Sequence, residues 1–229
     1  MSRLPKTIFA LLLAGLGATS SASPELPACE YADEPALAPA YADWSRTLVD
    51  TARRLPADYE PADLVPLTGA GFPDERLVRS VVIDDLAALR EAAVEAGMYL
   101  AVQSAYRSYS YQEDTFAYWV DLDGYEAALA SSARPGHSEH QLGTVIDFRS
   151  ADGPAAWDLA DWATTPEGAW LQDNAAEYGF VMSYPKDSRD VTCYIYEPWH
   201  YRYVGRETAR AVAESGLTLR EWLWEWHFR

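Results

Sequence analysis

The sequence predicts an α+β domain, and three observations carry that reading. Helical patterns are mixed along the chain with short strand-like runs that do not alternate between apolar and polar. At 229 residues the chain can hold one domain with a sizeable core. No internal repeat, low-complexity tract or linker divides it, so a second domain is not expected.

The elements follow in chain order. Residues 1–22 read as a secretory signal peptide. Arg3 and Lys6 make a short positive start, residues 8–16 an apolar run, and Ser20-Ser21-Ala22 a small-residue cleavage site. That run is too short to span a bilayer. Residues 23–41, dominated by proline, alanine and acids, read as a flexible or loosely docked lead-in, with 42–229 as the folded domain.

Trp44, Leu48, Thr51 and Leu55 have helical spacing, enough for a short helix at best. The proline-rich stretch 59–66 reads as extended, and 69–73 as a turn. Residues 74–98 carry the strongest helical pattern. Leu77, Val78, Val81, Val82, Leu86 and Leu89 recur at three and four, and Gly97 marks the stop. A strand is expected over 99–106, a helix over 110–129 loosened at 121–124, and a turn at Arg134-Pro135-Gly136. Residues 144–148 are apolar and β-branched except for Asp147, the pattern of a buried strand. Two short helices are expected within 156–178, and strands at 180–184 and 194–196 around a polar loop at 185–192. Helices at 206–215 and 219–228 close the chain.

The formal charge of −17 becomes −19 once Arg3 and Lys6 leave with the signal peptide, so nucleic acid and anionic membranes are excluded as partners. Only Cys29 and Cys193 are present. In an exported protein they form one disulfide, with two free thiols as the alternative.

A lone aspartate in a buried strand is costly unless it is paired or holds a metal. Asp147 stands seven residues after His140, and Glu197-Pro198-Trp199-His200 follows later in the chain. A catalytic zinc site takes three protein ligands and keeps one position for water. His140, Asp147 and His200 fit that count, and Glu197 is left as general base. Residues three apart on a regular strand face opposite sides, so Pro198 is expected to break the strand and bring Glu197 beside His200.

Singly these residues are bland. Either histidine alone reads as structural or exposed, and Asp147 alone as a turn cap or a partner of Arg149. The combination of His-x6-Asp with a later Glu-x-x-His is what points to a metal. His137 reads as a loop or rim residue and His227 as structural. Arg107, just past a predicted strand end, suits a two-pronged carboxylate clamp, with Ser138 and Gln112 adding neutral hydrogen bonds. Trp222, Trp224 and Trp226 are expected to pack against the domain, with a wall- or partner-binding patch as the alternative.

Ser104-Ala105-Tyr106-Arg107-Ser108 with Gln112, then ARPGHSEHQLGTVID at 133–147 and EPWHYRYVG at 197–205, together resemble the VanY-type zinc carboxypeptidases. These belong with D-alanyl-D-alanine carboxypeptidases in a superfamily that includes lysostaphin-like peptidases and hedgehog domains. The likeness runs from residue 59 to 205 with the motifs in the family's order. It implies a small antiparallel sheet flanked by helices and carrying zinc on His140, Asp147 and His200. It also implies that Glu197 moves a proton from water to the leaving amine. Arg107, beside Ser138 and Gln112, would take the substrate carboxylate or steady the oxyanion.

The implied reaction removes a C-terminal D-alanine from peptidoglycan stem peptides, in an exported monomer with no membrane span after processing. L,D-carboxypeptidases and cross-link endopeptidases share these motifs. Outside enzymes, the alternative is an inactive peptidoglycan-binding domain, against which Glu197 counts. Thr144 and Val145 stand where relatives carry smaller residues, and residues 180–185, with Ser183 before Tyr184-Pro185, are expected to shape the pocket wall.

Overall fold

The computed structural model describes residues 24–229, so the expected signal peptide lies outside the described residues. The stretch read from composition as a loose lead-in is docked. Strand β1 (Glu34–Pro35) pairs in parallel with β2 (Arg53–Arg54). Pro24 and Pro27 offer carbonyls to Trp224 Nε1 at 2.7 Å and Arg220 Nη1 at 3.1 Å, and Cys29 is bonded to Cys193. A proline lacks an N–H but keeps an acceptor, and these partners use it. The short helix expected at 44–55 does not form. Leu48 exchanges backbone hydrogen bonds with Leu37, and Asp50 Oδ1 accepts from the amides of Ala52 and Arg53. Such an aspartate turn competes directly with helical bonding.

Strand β3 (Leu64–Pro66) pairs antiparallel with β4 (Leu77–Arg79). The helix expected over 74–98 is therefore shorter: α1 spans Ile83–Glu95, after β4 and a 3-10 turn at Ser80–Val82. Val78 is buried opposite Val65 while Leu77 and Val81 are exposed. The β-branched run fits either period, and pairing with 64–66 decides it.

The remaining chain builds the site. Strand β5 (Leu100–Ser104) leads through residues 105–108 to α2 (Tyr109–Asp123), which Gly124 at φ 85° separates from α3 (Tyr125–Ser131). A 3-10 turn at Glu139–Leu142 precedes β6 (Val145–Ser150). Two more 3-10 turns lead to α4 (Pro166–Asn174), whose cap Thr165 accepts from the Gly168 amide. Strand β7 (Phe180–Met182) follows, and then α5 (Arg189–Thr192), a single helical turn where only loop was expected. Residues 194–196 form no strand; Tyr194 and Ile195 line the cleft instead. Strand β8 (His200–Tyr203) and helices α6 (Arg206–Ser215) and α7 (Leu219–Phe228) complete the fold.

The central sheet has the order β5-β6-β8-β7 with every pair antiparallel, as the family resemblance implied. Leu86, Leu89, Phe148, Trp162 and Phe180 belong to its main core, and Leu48, Val212 and Leu223 to a second one under α6 and α7. Trp222 and Trp224 pack into that second core, whereas Trp226 is 43% exposed.

Candidate metal centre and active site

The sheet register brings the first two candidate ligands together: Asp147 on β6 lies opposite His200 on β8. Directly opposed residues hold their side chains within contact range, and Asp147 Oδ1 approaches His200 Nδ1 to 3.3 Å. His140 arrives from the 3-10 turn before β6. Ser138 caps that turn, its Oγ accepting from the His140 amide at 3.3 Å. Gly143 ends it in the left-handed region at φ 73°, where a side chain is disfavoured, and turns the chain into β6. Donor atoms of His140, Asp147 and His200 then lie within 4.8 Å of one another, all buried.

The outer partners set which nitrogens face inward. His140 Nδ1 lies 2.6 Å from the Ala105 carbonyl, which can only accept, so Nδ1 carries the proton and Nε2 keeps its lone pair. His200 Nε2 faces Glu139 Oε2 at 3.1 Å, which leaves Nδ1 pointing to the centre. Among the described residues His140 Nε2 and Asp147 Oδ1 have no hydrogen-bond partner although both are buried, and His140 Nε2 stands 3.2 Å from Asp147 Oδ2. Lone pairs converging without a donor between them make a setting for a cation. Two imidazoles and a carboxylate are a donor set that suits zinc. The residues fit the metal.

Electrostatics favour a cation at two of the three ligands. Burial favours the neutral form of Asp147, but the two imidazoles outweigh it and hold the carboxyl well below the usual range. Burial and the Arg107 guanidinium push His140 down to about 4, so it is neutral and free to donate a lone pair. His200 runs the other way: burial acts downward, but Asp147, Glu139 and Glu197 together lift it to about 9, so a cation bound at Nδ1 would displace a proton.

Glu197 reaches the centre through a turn. The His200 amide donates to the Glu197 carbonyl at 3.1 Å, with Pro198 and Trp199 in the middle positions. Proline suits the first of these. The turn removes the strand alternation and sets Glu197 Oε2 3.5 Å from His200 Nδ1, as the sequence implied. Burial raises Glu197 to about 7, a proton affinity that suits a base working near neutrality.

These groups lie in a cleft of about 670 Å³, together with Arg107 and Ser138. The Arg107 amide donates to the His140 carbonyl at 3.3 Å, which ties the two motifs together, and the Arg107 Nε has no hydrogen-bond partner among the described residues. Gln112 is placed differently: it is fully buried behind the cleft wall, its Nε2 donating to the Ala133 carbonyl at 2.8 Å. Of the two readings of His137, the loop residue holds and the rim contact does not. His137 is buried against the Asp50 carbonyl and Asp33 Oδ1. Arg149 bonds to the carbonyls of Ser150, Ala151 and Gly153, leaving Asp147 to the centre. His227 is structural, on the Arg46 carbonyl.

Sequence reasoning gave no role to Glu139. It is 5% exposed and accepts from Ser183 Oγ at 2.6 Å, His200 Nε2 at 3.1 Å and Arg202 Nη1 at 2.7 Å. Burial alone would raise it, yet Arg202, His200 and Ser183 bring it to about 2. Its adjacency to His140 was the one linear signal. Ser183 thus acts behind the centre, while its neighbour Tyr184 lines the cleft.

Comparison with known proteins extends this geometry. Residues 75–206 match the model of the VanY family, described as D-alanyl-D-alanine carboxypeptidase. YodJ of Bacillus subtilis is 41% identical over 179 residues, 76% of this chain and 65% of that protein. A D-alanyl-D-alanine carboxypeptidase of Enterococcus faecalis is 35% identical over 190 residues, 79% of this chain and 66% of that protein. The chain therefore spans just under two thirds of the length of each relative. Among solved structures, a variant of the vancomycin-resistance D,D-pentapeptidase VanY in complex with Zn(II) superposes with a TM-score of 0.67. It is 32% identical, over 79% of this chain and 99% of that one. The LdcB LD-carboxypeptidase gives 0.66 at 38% identity, over 76% and 83%. The match spans the strands and turns that carry all four residues of the centre, and the chain belongs to the VanY family of D-alanyl-D-alanine carboxypeptidases.

Proposed function

We propose that the chain is a zinc-dependent carboxypeptidase that removes a C-terminal D-alanine from peptidoglycan stem peptides, working as an exported monomer. The observation that carries this is the convergence of His140 Nε2, Asp147 and His200 Nδ1, with Glu197 beside them in an open cleft. Zinc bound there supplies Lewis-acid polarisation of the scissile carbonyl and of a water. Glu197, raised by burial, would take a proton from an attacking water in the cleft and hand it to the leaving amine. Arg107 pairs with the substrate's terminal carboxylate, and the Ser138 hydroxyl lies in the same cleft for a neutral hydrogen bond. The Cys29–Cys193 bond suits an oxidising compartment. No helix among the described residues is long and apolar enough to cross a membrane.

A second reading has its own support. The LdcB LD-carboxypeptidase is 38% identical, against 32% for the zinc-bound VanY, so tetrapeptides are the alternative substrate. Mass spectrometry of the zinc-loaded protein with a muramyl pentapeptide and a tetrapeptide separates the two. Loss of one alanine from the pentapeptide, stopped by a chelator and restored by zinc, supports the first reading. Cleavage of the tetrapeptide alone supports the second, and no product from either removes both.

A further inference from the structure

We infer that Glu139 is the positioning residue for His200, and that the N-terminal segment around Trp44 and Thr47 completes the metal centre through Arg202. The inference rests on the metal reading above. All three of Glu139's partners are donors: Arg202 Nη1 at Oε1, and Ser183 Oγ and His200 Nε2 at Oε2. A buried carboxylate in that setting accepts only, so it holds the His200 proton on Nε2 and leaves the Nδ1 lone pair for the metal. Pairing with Arg202 alone would have satisfied the charge. The second oxygen is turned to His200 and fixed there by the serine.

Arg202 is in turn fully buried. Its Nη2 donates to the carbonyls of Trp44 at 2.9 Å and Thr47 at 2.7 Å. Trp44 also stacks on Tyr203, at 5.2 Å between ring centroids and 10° between planes, which fixes the segment against β8. Both carbonyls precede residue 75, where the match to the family model begins. The chain thus runs as a brace: a carbonyl pair outside the matched region holds Arg202, Arg202 holds Glu139, and Glu139 holds His200. Outer partners of this kind govern metal affinity by about 10- to 100-fold.

The test compares zinc affinity, by competition with a chromophoric chelator, in wild type, Glu139→Gln and Glu221→Gln. A glutamine cannot accept from both sides, because its NH2 meets either Arg202 or the Ser183–His200 pair. Glu221 is the control, a carboxylate of the α7 capping box whose Oε2 accepts from the Thr218 amide at 2.9 Å and the Thr218 hydroxyl at 2.8 Å. The expected result is an affinity loss of about 10-fold or more in Glu139→Gln. Glu221→Gln should keep wild-type affinity while losing thermal stability. The slowly exchanging imidazole N–H signal of His200 should vanish in Glu139→Gln and persist in the control. If Glu139→Gln binds zinc as wild type does, or if both variants lose affinity alike, the inference fails. Should Glu139→Gln not fold, Ser183→Ala takes its place. Weakened zinc affinity there supports the brace and wild-type affinity overturns it. A wild-type protein that binds no zinc refutes the metal reading itself, and this inference with it.

Discussion

Replacing Gly143 by alanine should damage both the fold and the metal centre, and the structure sets the size of the effect. Gly143 sits at φ 73°, where an L side chain costs about 1–2 kcal/mol. An added Cβ would lie 2.9 Å from Arg79 Cγ and 3.0 Å from Leu64 Cδ2. Neither neighbour can easily retreat. Arg79 is held by Asp63 at 2.8 Å and by the Tyr41 carbonyl at 2.6 Å, and Leu64 is in the β3–β4 ladder. Overpacking of this kind costs about 1–3 kcal/mol. Together the two effects amount to about 2–5 kcal/mol, or a fall in melting temperature of about 4–20 °C for a chain of this size. The displaced backbone is the link between His140 and Asp147, so zinc affinity should fall as well. Calorimetry and chelator competition on Gly143→Ala measure the two effects. A melting temperature within about 2 °C of wild type would show that the close contacts relax freely and that the reasoning is wrong.

Other substitutions test separate parts. Glu197→Gln should lower turnover by at least about 10²-fold while zinc content by elemental analysis stays at wild-type level; retained turnover would remove Glu197 as the base. Gly168→Ala lies within α4, where alanine ordinarily stabilises by about 1 kcal/mol. Its Cβ would collide with the Trp162 carbonyl oxygen and stand 2.9 Å from Ala163 Cα, so the melting temperature should fall instead. Burial would raise Asp63, but its hydrogen bond and charge pairing with Arg79 outweigh that and lower it below 3.8. A depressed carboxylate contributes stability above its unfolded pKa and loses it as pH falls through the folded value. Wild type should therefore lose more stability than Asp63→Asn between pH 5 and 3, as read from urea midpoints. Equal losses would refute the assignment.

The metal donors were legible in the sequence because their chemistry is carried at fixed spacing. His140, Asp147 and the Glu197–His200 pair retain their meaning whatever lies between them. Glu139 was not legible, because its partners Ser183, His200 and Arg202 stand 44, 61 and 63 residues away. Gln112 was assigned to the substrate on its place after Arg107, but α2 turns it behind the wall. In the fold, β4 was absorbed into a helix because Val78 and Val82 repeat at four, a spacing both periods accept over so few residues. The turn at 44–55 was lost for a related reason: apolar spacing was visible, whereas the Asp50 side-chain bonds that oppose a helix were not. The closing helices, with long amphipathic patterns and a Thr218–Glu221 capping box, were read correctly.

The Cys29–Cys193 bond also alters the order in which the molecule can assemble. Along the chain Thr47 and Arg202 are 155 residues apart. Through the cross-link the path is eighteen residues from Cys29 to Thr47 and nine from Cys193 to Arg202. Closing the shorter loop saves roughly 1.5 kcal/mol of chain entropy. An oxidised chain therefore meets one of its most distant contacts as though it were a local one. The arginine that steadies the third ligand can be seated early in folding, before the sheet that presents the ligand is complete.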